Sequence, residues 1–407
     1  MPRKSNTKRA NGSGTIRKRK DGTWEARYTA RIDTGSGKQI QRSLYSKSHD
    51  DIRKKLSQVS SQIDTGIYID PVKLTVRQWA DLWLKEYVGA VKATTKEQYL
   101  YQIEEHIKPA IGAVKLTAVT APMIQKMYND VMKPHKAMRK VKGGEPKKKE
   151  VPGISAKSVK NLHGVCHRMF SKAVLLHYIH ANPCDACELP RIEKKEIRPI
   201  SGEYFGAFLA EIKKDEFGDL FFVDVFTGMR QGEILGLQWD CVDFIAGTIT
   251  IKRQLQQIRN RGKASTYEFT SPKNGKTRVI QPALSVMKVL QKIKSQQAEY
   301  KLASGDAWKN ESNLVFVNAE GGHLIDNTVL KHLKKIVTAI GIPETRFHDL
   351  RHTYATNAIR IGDPIKTVSE NLGHATVAFT LDVYGHVTPA MKQDSADRMQ
   401  RLIDSCS

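Results

Sequence analysis

Apolar and polar residues recur along the chain with different periods, and the changes of period mark its organisation. From Thr23 to Ile32 the alternation is strict. Trp24, Ala26, Tyr28, Ala30 and Ile32 point one way, and Glu25, Arg27, Thr29 and Arg31 the other, as in a half-buried strand. Asp21-Gly22 before it is a hairpin signal, and a second turn over Asp33–Gly37 leads into a third short strand, Gln39–Tyr45. Asp50 or Asp51 then stands where a helix running to about Gln62 would be capped. From Thr75 the period becomes helical. Val76, Trp79, Ala80, Trp83 and Tyr87 fall on one stripe, and Thr94 or Thr95 is placed to cap a second helix through Ile103 and Ile107. Pro122 opens a third helix, and Ser155 caps a fourth with Val159, Leu162, Cys166, Met169, Phe170 and Ala173 on its apolar side. Between the last two, Lys133–Pro152 is rich in Gly, Pro and Lys and reads as a flexible basic loop. Leu189–Ser201, with Pro190 and Pro199, reads as a linker. Beyond it lie helices with a few strands and a basic amphipathic tail from Pro389, carrying Ala390, Met391, Ala396, Met399, Leu402 and Ile403.

This pattern predicts a multidomain α+β protein. Residues 1–65 form a small three-stranded sheet backed by one helix, residues 72–188 an all-α four-helix module, and residues 196–407 a mixed, mainly α domain with a small β-sheet. An open sheet face bearing Arg and Gln suits insertion into a DNA major groove, with Arg17, Arg19, Arg27, Arg31, Gln39 and Gln41 as the candidate contacts.

Charge supports that partner. The 407 residues carry 66 Lys and Arg against 42 Asp and Glu, a formal net charge of +24. A compact chain tolerates such self-repulsion best beside a polyanion. Eight of the first 20 residues are Lys or Arg, among them Arg3, Lys4, Lys8 and Arg9, which reads either as a solubilising tail or as a DNA-contacting arm. The apolar runs, such as Leu220–Phe226, are too short to span a bilayer, and the start lacks the apolar stretch of a secretory signal. Five cysteines in this length point to a reduced, cytoplasmic protein rather than a disulfide scaffold.

Reactive side chains cluster at turns of the last domain. Thr227-Gly228-Met229-Arg230-Gln231-Gly232-Glu233 places Arg230 near the start of a helix continuing through Leu237 and Trp239, where free N–H groups favour anions. Glu233, one turn on, would brace it, although alone the pair reads as an exposed salt bridge. Asn274-Gly275 between extended runs predicts a β-hairpin with Lys273 beside its tip, either a solvated lysine or a proton donor projecting into a DNA groove. His348 and Arg351, three apart, share a helix face, with Leu350, Tyr354 and Ala358 on the other. Beside Arg230 they would make a site for a singly charged tetrahedral anion. Gly373 fits a helix stop that leaves His374 exposed. Tyr384 ends a short segment of low helix propensity, where a Tyr is ordinarily a half-buried packing residue.

Taken in order, Arg, Lys, His-x-x-Arg, His, Tyr closely resembles the tyrosine recombinase family, and the whole chain resembles the integrases of conjugative transposons and lambda-type phages. The resemblance is densest over residues 227–239, 346–356 and 371–386. It implies an arm-type DNA-binding domain, a core-binding domain and a catalytic domain, acting on double-stranded DNA at arm-type and core-type sites. It further implies that Tyr384 attacks a phosphodiester to give a 3′-phosphotyrosyl link. Arg230 and Arg351 would clamp the non-bridging oxygens, and His348 and His374 would hydrogen-bond the phosphate and help manage the nucleophile's proton. Lys273 would protonate the leaving 5′ oxygen, with Glu233 and Asp349 bracing. No cofactor, ATP or metal is expected. In relatives the tail docks onto a neighbouring protomer within a tetramer, and an excision factor is a possible partner. His177, His180, Cys184 and Cys187 have spacings compatible with zinc, but Asn182-Pro183 reads as the end of the fourth helix and the family needs no metal. The rival readings are a type IB topoisomerase, against which the arm-like first domain argues, and an idle DNA-binding regulator, which predicts the loss of a reactive side chain.

Overall fold

The computed structural model describes residues 14–32, 37–65, 74–141, 144–193, 197–258, 265–385 and 389–406, with backbone alone at 31–32, 136–141, 144–149, 389–392, 394, 395 and 398. The basic residues Arg3, Lys4, Lys8 and Arg9, the turn at 33–36 and the side chains of Arg31, Ile32, Ala390 and Met391 lie outside that description. The chain forms two compact units, Met1–Glu193 and Lys194–Ser407.

The first unit begins with an antiparallel sheet in the order β1 (Thr15–Lys18), β2 (Trp24–Ile32), β3 (Gln39–Ser46). The Asp21 side chain closes the first turn by accepting from the Thr23 amide at 3.0 Å. Ala26, Tyr28 and Ala30 are buried against Ile52 and Leu56 of α1 (His49–Asp64), as strict alternation requires. That helix starts one residue before the expected caps. Ser48 holds the extended cap position, and Asp50 and Asp51 sit in the first turn, where their charge complements the helix dipole.

The helical module comprises α2 (Val76–Glu86), α3 (Ala93–Gln102), a π-helical turn (Ile103–Ile107) running into α4 (Lys108–Ile111), α5 (Ala121–Val131) and α6 (Ala156–Leu175). Thr75 caps α2 reciprocally with Gln78. Trp79 and Trp83 are completely covered, and the Trp79 indole donates to the Met169 carbonyl at 3.1 Å. Thr94 and Thr95 lie inside α3, whose cap position is Lys92. The module is not all α: β4 (His135–Val141) and β5 (Gly144–Val151) pair antiparallel where a basic loop was expected. A ladder needs only backbone partners and a tight connection, and the overlooked signal was Gly143-Gly144 between two runs ending in valine. The fourth helix ends at Leu175, well before Asn182, with His177 in the left-handed region at φ 54°. Cys184 is packed into the core, and Cys187 Sγ donates to the carbonyls of Ala121 and Pro183. Among the described residues no group of three or more His, Cys, Asp or Glu gathers as a metal site.

The second unit runs α7 (Gly202–Ile212), α8 (Gly218–Thr227), α9 (Gln231–Leu235), β6 (Val242–Asp243), β7 (Thr248–Ile251), β8 (Gln254–Ile258), β9 (Thr266–Thr270), β10 (Arg278–Ile280), α10 (Leu284–Ser304), α11 (Asp326–Ala339), α12 (Phe347–Arg360), α13 (Ile365–Leu372), α14 (Val377–Tyr384) and α15 (Pro389–Cys406). α9 stops at Leu235 rather than continuing to Trp239, because Gly236 lies against the backbone of Leu255 on β8 and the chain turns there. β10 pairs with β7 in the order β10-β7-β6, while β9 pairs with β8. Asn274-Gly275 therefore makes the expected turn, with Gly275 at φ 68°, but joins two different sheets rather than two strands of one hairpin. Turn chemistry fixes local backbone; strand choice is tertiary. The main core gathers α7, α8, α10 and α11 around Phe208, Phe221, Leu290 and Val329, all fully covered. A smaller cluster joins α12, α13 and α14 through Ala355, Val368, Leu372 and Tyr384. Among the described residues no helix is long and apolar enough to cross a membrane.

Gly228 links these two clusters. It ends α8 at φ 63°, and a Cβ there would lie 2.5 Å from Tyr354 Cδ1 and 2.9 Å from Leu372 Cδ2. Gly228→Ala should lose about 1–2 kcal/mol from the left-handed backbone alone and more from the overlap. Calorimetry of the intact chain is expected to show one transition several degrees lower, whereas an unchanged melting profile would contradict the packing described.

Candidate active site

Glu233 is the anchor of the site. Its side chain is completely covered yet charged, because three groups converge on it. The Arg230 amide donates to Oε2 at 2.9 Å and Arg230 Nη1 to Oε1 at 2.7 Å. Arg278, arriving from β10, forms a two-point contact, Nη1 to Oε1 at 3.0 Å and Nη2 to Oε2 at 2.6 Å. Burial alone would raise the carboxyl pKa, but the Arg278 hydrogen bonds and the charges of both arginines outweigh it and hold it at about 2. This is a buried clasp, not the exposed salt bridge that an isolated i,i+3 pair suggests. The clasp also meets the end of α13: Arg278 Nε donates to Asn371 O at 2.7 Å, and Arg230 Nη2 to Gly373 O at 3.2 Å. Gly373 makes this possible at φ 63°, an αL helix stop whose carbonyl also accepts from Asn274 Nδ2 at 3.0 Å.

Arg351 is the most deeply buried cation of the site, 2% exposed. Its Nη1 donates to Gly228 O at 2.7 Å and its Nη2 to Leu372 O at 2.5 Å, which fixes the plane and leaves its other N–H groups free for an anion. Burial first, then the charges of Arg230 and Arg278, lower its pKa to about 9. Asp224 of α8 does not cancel it. That carboxyl is wholly buried, neither oxygen has a hydrogen-bond partner among the described residues, and burial pushes its pKa well above the usual range. Burial thus disfavours its charged form, and the three arginines around Glu233 leave a surplus of positive charge.

The imidazoles are neutral for the same reason. Burial, followed by the charges of His352 and Arg351, holds His348 at about 4, and burial with the charges of Arg351 and Arg230 holds His374 at about 3. His374 Nδ1 pairs with Thr380 Oγ1 at 2.8 Å, and its ring stacks parallel to the Tyr384 ring at 6.3 Å. Tyr384 is 8% exposed, and burial raises its pKa to about 12 while the Arg351 charge opposes the shift. Its hydroxyl meets His352 Nδ1 at 2.6 Å. His352, Arg278 and Thr380 thus belong to the site although sequence reasoning passed over them. His352 stood in the same short motif as Arg351, and Arg278 in the segment quoted for Lys273.

A cleft of about 470 Å³ opens here, lined by Arg230, Pro272, Asn274, Lys276, Arg278, Glu370 and His374 among others. Lys273 does not line it; it is exposed on the turn between Pro272 and Asn274, which do. Asp349 is buried, but it braces Arg346, with the amide and Nε to Oδ2 at 2.8 and 3.0 Å and Nη2 to Oδ1 at 2.8 Å. It therefore supports the start of α12 rather than an arginine of the cluster.

On the first sheet, Arg17 and Arg27 close over Glu25, at 2.7 and 3.0 Å, and Ser43 Oγ donates to it at 3.0 Å. Glu25 is covered rather than displayed, and its charge is shared by the two arginines. Arg19 reaches Asp21 at 3.4 Å and stacks over the Tyr45 ring. Gln39 accepts from Thr29 at 3.3 Å, and Gln41 is exposed.

Removing the central carboxylate should leave two guanidinium groups facing each other without an anion, a change worth about 3–5 kcal/mol for a broken buried pair. Glu233→Ala is expected to lower the unfolding midpoint of the intact chain accordingly, with Glu233→Gln intermediate. Because the folded pKa lies below the ordinary value of 4.5, the wild-type contribution is complete above that value and is lost as pH falls towards 2. A Glu233→Ala protein as stable as wild type at neutral pH would contradict the clasp.

The chain matches the phage integrase family over residues 210–391 and the N-terminal SAM-like domain of phage integrases over residues 75–132. A tyrosine recombinase XerC-like protein of Caldanaerobacter subterraneus subsp. tengcongensis is 28% identical over 383 residues, covering 90% of this chain and 93% of the relative. The ICEBs1 integrase of Bacillus subtilis is 28% identical over 255 residues, 62% of this chain and 67% of the relative. The backbone resembles the Tn1549 transposon integrase in complex with a circular intermediate DNA, at TM-score 0.63 and 20% identity over 80% of this chain and 99% of that one. It also resembles a lambda integrase in a tetramer bound to a Holliday junction, at TM-score 0.57 and 16% identity over 94% and 99%. Matched in both its helical module and the unit that carries the buried arginines and Tyr384, the chain belongs to the phage integrase family of tyrosine recombinases, enzymes that cleave and rejoin DNA.

Proposed function

We propose that the protein is the integrase of a mobile genetic element, such as a conjugative transposon, cutting and rejoining double-stranded DNA through a 3′-phosphotyrosyl intermediate in the bacterial cytoplasm. The observation that carries this reading is the gathering of Arg230, His348, His374 and Tyr384 around Arg351, whose charge acts on each of the two imidazoles and on the tyrosine. A phosphodiester is already anionic and gathers further charge in its pentacoordinate transition state, so stabilising that charge is the main catalytic task. Arg230 and Arg351 would hold the non-bridging oxygens through their free N–H groups, with a planar fork suited to the geometry. Neutral His348 and His374 would hydrogen-bond the phosphate without a charge of their own. Tyr384 Oη would attack phosphorus, and Lys273, carried inward on its turn, would protonate the departing 5′ oxygen. The tyrosyl ester conserves the bond energy, so rejoining to a new 5′-hydroxyl needs no nucleotide.

Residues 1–65 would read arm-type sites, 72–188 would grip core-type sites and 196–407 would do the chemistry. Of the arm contacts, exposed Gln41 is freer to reach DNA than Arg17 and Arg27, which Glu25 engages, or Arg19, which meets Asp21 and Tyr45. The helix α15 exposes Met399, Leu402 and Ile403, an apolar row suited to docking on a second protomer in a tetramer. An excision factor would bias direction.

A nicked duplex carrying the element's end tests this. The wild-type chain should form a covalent protein–DNA band that survives chelation of magnesium, and Tyr384→Phe should reduce it by at least about 1,000-fold. Trapped complexes should sediment as tetramers, and as smaller species when residues after 388 are deleted. A band that persists in the Phe variant would mean a different nucleophile, and tetramers that survive the deletion would overturn the docking role of α15.

A further inference from the structure

The Tyr384 hydroxyl has its hydrogen bond neither with His348 nor with His374. Its partner is His352 Nδ1, at 2.6 Å. His374 is oriented otherwise, since its Nδ1 is held by Thr380 Oγ1 at 2.8 Å and its ring lies parallel to the tyrosine ring, 4° from coplanar orientation at 6.3 Å. His348, one turn before His352 on α12, meets the His352 ring edge-on at 4.8 Å. The three imidazoles are thus differently engaged, and one of them touches the oxygen that the proposed chemistry needs to deprotonate.

We propose that His352 holds the Tyr384 hydroxyl and accepts its proton as that oxygen attacks the scissile phosphorus. This rests on the reading of Tyr384 as nucleophile. In the cleavage step the Oη–P bond forms from the electron pair of the breaking O–H bond, and the proton passes to His352 Nδ1. The P–O5′ bond breaks, its pair stays on O5′, and that oxygen takes a proton from the Lys273 ammonium. Rejoining runs the same transfers backwards: the 5′-hydroxyl gives its proton to the Lys273 amine, and the His352 imidazolium returns its own to the departing phenolate. Atoms and electrons balance without any further reagent.

The surroundings suit the role. The groups facing His352 from its own helix are His348, Arg351 and Asp349, with Arg346 just before it; Tyr384 faces it from α14, and His374 from the loop after α13. Asp224 of α8 faces Arg351. Burial comes first and is only partly offset by Asp349, while Arg346 and Arg351 add to it, so the His352 pKa lies below its ordinary value and the ring is neutral at pH 7. A neutral imidazole whose Nε2 carries the hydrogen presents Nδ1 as an acceptor. The tyrosine is by contrast a weak acid at about 12, so its proton leaves during attack, when phosphorus draws charge from the oxygen, rather than before it. When the 3′-phosphate bond has formed, the imidazolium stays beside the ester oxygen, ready for the reverse step.

The test is single-turnover cleavage of a nicked duplex whose scissile 5′ oxygen is replaced by sulfur, a leaving group that departs without a proton. His352→Asn keeps an acceptor near the position of Nδ1 but is too weak a base to take up a proton at neutral pH; His352→Ala removes the acceptor as well. His352→Asn should cleave about 100-fold or more slowly than wild type, the ordinary range for a lost general base. Replacing Tyr384 by a difluorotyrosine, which ionises near neutral pH by itself, should recover most of that loss in the Asn variant. His352→Ala should be slower still and should recover less, the difference measuring positioning. The Lys273→Ala enzyme serves as the internal standard: sulfur should restore its rate and fluorination should not. A His352→Asn enzyme that cleaves at the wild-type rate, or whose defect fluorination leaves untouched, would overturn the proposal. An adduct formed by Tyr384→Phe would instead overturn the nucleophile assignment beneath it, so the two failures are distinguishable.

Discussion

A carboxylate with no solvent contact holds this site together. Glu233 is charged in a place where charge is expensive, and it remains so because Arg230 and Arg278 surround it from α9 and β10. Each arginine then extends the arrangement to the end of α13, through the Asn371 and Gly373 carbonyls. Three elements distant in sequence are thereby fixed at one point. Arg351 is tied to the same neighbourhood by the Gly228 and Leu372 carbonyls. The cations are in place before any ligand arrives, which is the condition under which electrostatic stabilisation is most effective.

The surrounding titratable groups are adjusted to leave that positive charge uncompensated. Burial disfavours the charged form of Asp224, and His348 and His374 are kept neutral by burial and by the arginines themselves. An anion entering the site would meet uncompensated guanidinium charge in a region of low dielectric, where each contact is worth more than in water. The same burial makes Tyr384 a poorer acid, so a tyrosine proposed as the nucleophile needs help to lose its proton. His352 stands where that help would come from.

Much of this was legible in the chain, and the exceptions have a common cause. Strict alternation over residues 23–32 gave the strand and its buried face, and helical spacing gave the cores of α2 and α6. The pairing of Arg230 with Glu233 is local, one helical turn, and follows from spacing. Arg278 is 45 residues from Glu233, and nothing local announces that contact. Without it, the pair reads as an exposed salt bridge. The turn at Asn274-Gly275 was likewise foreseen, but the strands it joins pair elsewhere, because neighbouring strands compete for partners across the sheet. Glu25 shows a further limit. Alternation placed it on the open face correctly, yet the arginines beside it cover it and use part of their own charge. At the helix starts, Ser48 and Lys92 displaced the expected caps by two or three residues, since cap preference is a matter of about 1 kcal/mol and packing decides the rest.

In the proposed function the arginines act above all on the charge of the scissile phosphate. The direct measurement replaces that one phosphate by an uncharged methylphosphonate and compares wild type with Arg230→Ala. On the natural diester, Arg230→Ala should be crippled. On the neutral link there is no ground-state charge to clamp, and the variant should recover to within about tenfold of wild type on the same substrate. If Arg230→Ala remained as defective on the methylphosphonate as on the diester, the arginine would be serving the fold alone, and the electrostatic account of the site would be wrong.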